Sequence, residues 1–313
     1  MFKLALHSVS YAGVWPGQVQ LTWQQFIAKA GQLGFDAVML MAKRPHLSLL
    51  DMSATARREV RQIAEDNGVR VAVLAGYNDF GMGAEAPDVP VREMQVFYIG
   101  ELARLAADIG CSLVRVFTAF ERDTVPLQTT WNHTVNCLRD AARRAADFGV
   151  TLGVQNHHDV AVHHASLADL LVEIGEPNCK ACFDAWSHAP MAQAAPGYQQ
   201  DGHDLAAAVK AMGPYLVHTT VADYIHQPRF RYHPALVNYT REPDTVRAVP
   251  MGEGFLNYSC FFDTLREIGY QGYVAYEMCS PLRGGGSETN LDACARRFLD
   301  YMRNHKDQER YRG

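Results

Sequence analysis

Four short apolar runs in this chain each stop in side chains able to move protons or hold cations. Residues 149–154 (GVTLGV) run into Gln155, Asn156, His157, His158 and Asp159. Residues 180–183 end at Asp184, residues 215–217 run into His218, Thr219 and Thr220, and residues 273–276 end at Glu277. Carboxylates beside imidazoles suit general acid–base chemistry, because an unperturbed imidazole titrates near pH ~6.5. Two such carboxylates also suit a shared divalent cation, with Gln155 and His218 or Thr220 completing an oxygen-and-nitrogen shell. The competing reading is a hydrogen-bonded polar cluster without a metal, in which His157 and His158 serve only as structural partners.

Such groups act together only if the fold gathers them. Strand-like and helix-like stretches alternate at intervals of roughly 35–40 residues, as in repeated βα units. Strands are expected at 2–9, 37–41, 69–74, 113–117, 149–155, 180–184, 216–220 and 273–277. Helices are expected at 21–33, 53–66 with Ser53 as N-cap, 91–109, 130–148, 167–174, 204–212, 258–268 and 291–304. Eight strands and eight helices in strict alternation predict a single-domain (β/α)8 barrel over residues 1–313, in which strand C-termini converge on one mouth. An open doubly wound sheet is the alternative, but no G-x-G-x-x-G follows the first strand. Residues 222–257 read as a long irregular loop after the seventh strand, rich in aromatic and cationic side chains such as Arg231. That loop is either a lid over an anionic or hydroxylated ligand or a subunit contact.

Composition bounds the function classes. The 313 residues are 48% hydrophobic and 20% charged, with a net charge of −5. This balance argues against a backbone-neutralising nucleic-acid binder. No apolar run approaches membrane-spanning length, and the N-terminus enters a strand without the organisation of a signal peptide, so the cytoplasm is the default expectation. Seven scattered cysteines make no disulfide framework. Cys179 and Cys182 form a C-x-x-C, but residues three apart on a strand face opposite sides, so buried reduced thiols are expected.

The order of the strand ends resembles the xylose isomerase-like TIM-barrel superfamily of sugar isomerases and epimerases, inosose dehydratases and endonuclease IV-type enzymes. Residues 149–157 resemble a G-V-x-L-x-x-E-N-H strand, and residues 183–188 a D-x-x-H segment with one extra residue. Residues 220–223 stand where an H-x-x-D is usual, and residues 249–254 with 269–277 resemble the P-x-G-x-G … G-Y-x-G-x-x-x-x-E ending. The resemblance implies a metal held by Glu, Asp, His and Glu from strands five to eight. Asp184 and Glu277 match that set by position, whereas Gln155 replaces the first Glu and Thr220 stands in the place of the His. His218 lies two residues deeper on the same strand face and would need a local bulge to take that place, so the missing nitrogen would come from His157 or His188.

The implied activity is that of a sugar isomerase or epimerase that abstracts a proton next to a carbonyl, assisted by Mn²⁺ or Mg²⁺. Glu277, His157 and His158 are the candidate proton acceptors. Because Gln155 cannot take a proton, one-sided chemistry such as β-elimination from a keto-sugar or 3-keto-glycoside is the enzymatic alternative. A non-catalytic sugar-binding or partner subunit is the alternative of a different class. Lys43, His46, Asn78, His188, Thr220, Arg231 and Arg283 are candidate contacts to a small carbohydrate. The glycines after Arg283 offer either a phosphate-binding turn or a plain flexible one. The expected partners are thus a small carbohydrate and a second copy or partner subunit, with no nucleic acid and no membrane.

Overall fold

The computed structural model describes residues 2–83, 88–188, 202–278 and 281–307. Seven parallel strands come first: β1 (Lys3–His7), β2 (Ala37–Met41), β3 (Arg70–Ala75), β4 (Leu113–Val116), β5 (Thr151–Gln155), β6 (Cys179–Asp184) and β7 (Leu216–Val221). An antiparallel pair follows, β8 (Asp223–His233) and β9 (Asn238–Val249), and β10 (Tyr273–Tyr276) closes the set. The order β1-β10-β7-β6-β5-β4-β3-β2 is a closed barrel, so the expected (β/α)8 architecture is present. Among the described residues no helix is long and apolar enough to cross a membrane.

The surrounding helices are α1 (Trp23–Leu33), α2 (Ala54–Asp66), α3 (Val91–Asp108), α4 (Leu127–Ala146), α5 (His164–Ile174), α6 (Ala185–His188), α7 (Gly202–Met212), α8 (Tyr258–Glu267) and α9 (Glu288–Asp307). Local chemistry sets their limits. Thr22 and Gln25 form a reciprocal capping box at α1, which ends at Gly34 in the left-handed region. Ser53 caps α2 by accepting from the Ala56 amide. The apolar faces of these helices and the outward strand residues make the principal core, with Phe26, Phe183, Phe261 and Phe298 fully buried.

Inside the barrel the side chains alternate with period two, and a small apolar plug of Ala5, Met39, Val73, Leu113 and Ala275 fills the lower lumen. The same parity carries the inward series upward to His7, Arg115, Gln155, Asp184, Thr220 and Glu277. Space there is tight. A Cβ at Gly153 would sit 2.4 Å from the Cys182 sulfur, so the glycine on β5 is what admits that thiol. Burial pushes the Cys179 and Cys182 thiols up to about 12, as expected of inert core cysteines.

Residues 222–257 correct the expectation of an irregular loop. Most of them form the β8–β9 hairpin, in register from Asp223 opposite Val249 to His233 opposite Asn238. On β8 the run Arg229-Phe230-Arg231-Tyr232 alternates cationic and aromatic side chains, which is itself a strand pattern. Arg229 and Arg231 pair with Glu242 across the ladder at 3.2 Å each. The hairpin root is fixed by Asp223, a buried carboxylate accepting from the Gly252, Gly254 and Tyr224 amides at 2.9–3.0 Å. A side chain at Gly254 would collide with that carboxylate. Asp223→Ala leaves three amides without their acceptor and is expected to cost about 2 kcal/mol or more of stability, read from urea unfolding at constant m-value.

Candidate active site

A cavity of about 390 Å³ opens at the C-terminal ends of the strands. Its polar lining comes from Lys43 after β2, Arg115 on β4, Gln155 and His157 at β5, Asp184 ending β6, and Glu277 after β10. Its apolar walls are Trp15, Tyr77, Phe117, Trp186 and Tyr224. The fold therefore brings Gln155, His157, Asp184 and Glu277 together from three separate strand ends.

Hydrogen bonds knit these ends to one another. The Gln155 amide donates to Asp184 Oδ2 (3.3 Å) and to Thr220 Oγ1 (3.1 Å), and Thr220 Oγ1 donates to Asp184 Oδ2 (3.1 Å). The Trp186 amide donates to Asp184 Oδ1 at 2.9 Å. Asn156 spans β5 and β6, accepting from the Asp184 amide and donating to its carbonyl. Even so, burial, reinforced by the nearby Glu277 charge, raises the Asp184 carboxyl to about 7. Asp184 is thus a carboxylic acid poised between its two forms near neutral pH.

Glu277 is anchored through its amide to the Val221 carbonyl at 3.0 Å, and its Oε2 lies 3.9 Å from His7 Nε2. His7 accepts from the Val9 amide through Nδ1, so its neutral ring carries the proton on Nε2, facing Glu277. Burial, with the Arg115 charge, pushes His7 well below its usual range. The contact is therefore between a carboxylate and a neutral imidazole rather than an ion pair.

The two imidazoles expected as proton acceptors are placed differently from each other. His157 lines the cavity, but its Nδ1 accepts from the His158 amide at 2.8 Å, leaving an Nε2–H as its free function. Burial, with Arg115, lowers it to about 4, so at neutral pH His157 is a hydrogen-bond donor and a weak base. His158 does not join it. With φ at 67° its ring stacks 3.8 Å from Phe120 and faces a shallower neighbouring cavity with Asn78 and Met82. Burial, with the His157 neighbour, pushes it to about 3.

Several other candidate contacts lie elsewhere. His218 pairs in register with Tyr273 and Cys182, one pleat below Thr220, and is fully buried beneath the cavity rather than lining it. β7 shifts register against β6 immediately before His218, yet the imidazole stays fully buried. His46 is buried between the Ser8 hydroxyl (2.9 Å) and the Leu21 carbonyl (3.1 Å), a structural bridge. Asn78 exchanges two hydrogen bonds with the Phe117 backbone. Arg231 lies out on the hairpin, paired with Glu242. Arg283 pairs with Glu253, while Asn290 holds the carbonyls of Arg283 and Gly285 and the Val19 amide holds that of Gly286, so the glycine run is a tied turn. The His188 side chain lies outside the described residues.

Arg115, His7 and the two tryptophans are the site residues that sequence reasoning passed over. Arg115 had a readable signal, since it is the one charge in the strand Leu113–Val116 and shares parity with the inward Leu113. Trp15 had none, because it sits in a loop whose path is set by tertiary packing.

The donor set does not suit the divalent cation implied by the resemblance. Mn²⁺ and Mg²⁺ seek several hard oxygen ligands and negative surroundings. Here Gln155 turns its NH₂ toward Asp184, Thr220 donates to the same carboxylate, and Arg115 and Lys43 bring two cations into the cavity. Among the described residues no group of three or more His, Cys, Asp or Glu could hold an ion.

The chain matches the family model for xylose isomerase-like TIM barrels over residues 27–303. It is similar in fold to a D-psicose 3-epimerase from Clostridium cellulolyticum H10 solved with D-tagatose, at TM-score 0.72 and 17% identity, covering 96% of this chain and 98% of that one. An L-ribulose 3-epimerase superposes with TM-score 0.72 at 16% identity, covering 100% and 97%. A 3-keto-D-glucoside 4-epimerase from E. coli superposes with TM-score 0.69 at 18% identity, covering 97% of this chain and 100% of that one. No curated protein matches the chain. With the family model spanning most of its length and the barrel closed as the strand order requires, this protein belongs to the xylose isomerase-like TIM-barrel family.

Proposed function

We propose that this protein is an enzyme acting on small carbohydrates that moves a proton next to a carbonyl, with Glu277 as base and Asp184 as acid. The observation supporting this most strongly is Asp184 itself, a buried carboxyl raised to about 7 that lines the same cavity as Glu277. A pair of titratable groups in one cavity whose environments differ is the usual arrangement for acid–base work. In the proposed step Glu277 takes the proton from the carbon beside the carbonyl. The C–H electron pair becomes the new C=C bond, and the carbonyl oxygen takes the proton from Asp184. Arg115 and Lys43 stabilise negative charge developing on that oxygen, and the Nε2–H of His157 orients a substrate oxygen. No step requires a metal, in keeping with the donor set.

Gln155 favours a one-sided outcome. The β5 position has an amide tied to Asp184 and Thr220 and no second proton acceptor. Isomerisation, or β-elimination with Asp184 protonating the leaving group, fits that asymmetry better than epimerisation through two opposed carboxylates. The structural neighbours named as sugar epimerases agree with the broader reading of carbohydrate chemistry.

The reading is tested by following deuterium incorporation from D₂O into ketoses and keto-acid sugars by NMR. Glu277→Gln is expected to lower exchange by about 10²–10⁴-fold. His157→Ala, which removes a donor only, is expected to lower it about tenfold. Undiminished exchange in Glu277→Gln would sink the assignment.

Asp184 also makes a prediction about pH. Its folded pKa of about 7 lies above the unfolded value of 3.8, so the folded state binds more protons between these limits. This contribution to stability is complete below the lower value and is lost as pH rises through the upper one. Wild type is therefore expected to lose stability relative to Asp184→Asn as the pH is raised from about 4 to about 8, in chemical denaturation at fixed salt. The acid form of Asp184 is the active one in the proposed step, so kcat/KM is expected to fall on the alkaline side of about 7.

A further inference from the structure

We propose that the cavity takes substrates carrying a carboxylate, a hydroxylated keto acid rather than a neutral sugar, and that Arg115 and Lys43 bind that carboxylate across the face of Tyr77. The proposal deepens the proton-transfer reading of the same cavity and rests on it for the reaction, although the binding can be measured separately.

The starting observation is a guanidinium with too few partners. Arg115 is 2% exposed, yet its Nε and Nη1 make no hydrogen bond. A guanidinium offers five N–H donors in a rigid fork, and leaving them unmet away from water is costly. Lys43 adds to the imbalance, its Nζ 3.9 Å from the Tyr77 ring centroid and the Arg115 Cζ 5.0 Å from the same centroid. Two cations thus share one aromatic ring, while Arg115 also lies 3.9 Å from the Phe117 ring. Ring faces offset a cation only weakly and do not neutralise two of them.

Neither cation has an ion-pair partner among the described residues. Glu277 faces His7, and Asp184 already accepts three hydrogen bonds and holds a proton for part of the time near neutral pH. The cavity therefore sets two cations against two carboxyl groups, of which Asp184 is raised to about 7 and so is protonated for part of the time near neutral pH. A bound monoanion would restore the balance.

Carboxylate fits this cradle better than phosphate does. A planar carboxylate matches the planar fork of arginine through two parallel hydrogen bonds. Phosphate in a barrel is usually held by loop amides after the last two strands. Here the corresponding glycine run is tied to Asn290 and to the Val19 backbone. A cavity of about 390 Å³ also suits a six-carbon acid.

Trp15 and Trp186 line the cavity, so tryptophan fluorescence of the full chain can report binding, with calorimetry as a second readout. The probes are D-gluconate, 5-keto-D-gluconate, D-fructose and D-fructose 6-phosphate. Both acids are expected to bind at least about tenfold more tightly than fructose and fructose 6-phosphate. Arg115→Met is expected to weaken the acids by at least about 30-fold and fructose by no more than about threefold. Lys43→Met, at the exposed rim, is expected to weaken them about fivefold to tenfold. Acids binding no better than fructose, or unaffected by both substitutions, would overturn the proposal, and so would tighter binding of the phosphate ester. If 5-keto-D-gluconate binds through Arg115 yet shows no solvent exchange, the carboxylate assignment stands and the proton-transfer reading fails.

Discussion

The upper half of the barrel is arranged around a positive charge in a place where charge is expensive. Arg115 projects from a four-residue apolar strand into the lumen and is nearly inaccessible to water. Its field, added to burial, helps hold His7, His157, His158 and His218 neutral, and it also lowers Lys43. With these four imidazoles kept uncharged, Asp184 is left as the cavity group raised toward neutral pH. The aromatic rings of Tyr77 and Phe117 lie against the guanidinium and give it partial electrostatic relief without neutralising it.

Opposite in chemical character is the hydrogen-bonded knot of Gln155, Asp184 and Thr220. It joins the ends of β5, β6 and β7 side by side, and Asn156 reinforces it through the backbone. A buried carboxylate is tolerated only when its lone pairs are met, and here amide and hydroxyl donors meet them. The same donors occupy the positions where further ligand atoms would have to stand for a metal. Thus one substitution pattern, amide at β5 and hydroxyl at β7, both supplies the buried carboxyl with donors that partly offset its burial and fills positions a cation's ligands would need.

Much of this was legible beforehand. The alternation of apolar runs with amphipathic stretches reveals eight βα units, and the cap at Ser53 marks a helix start through local chemistry alone. Asp184 and Glu277 were visible as carboxylates closing apolar strands. The hairpin at residues 223–249 was passed over because its arginines and tyrosines look like loop composition, and the backbone ladder that joins its two strands is a contact composition does not reveal. His46, Asn78 and Arg283 read as ligands because they are polar and follow strands. Their partners are backbone carbonyls and side chains of other loops, contacts that no spacing rule reveals.

The sequence by itself determined which residue types stand at the strand ends and, through period-two alternation, which of them turn inward. It could not determine their height in the barrel or their ionisation. His218 and Thr220 share a face, yet the register with Tyr273 and Ala275 buries one beneath the cavity and sets the other beside Asp184. Likewise, Asp184 becomes an acid near neutral pH, and His157 a donor, only when the closed barrel removes water and places Glu277 and Arg115 nearby. Side-chain identity is local, whereas register, desolvation and the sum of nearby charges belong to the assembled fold.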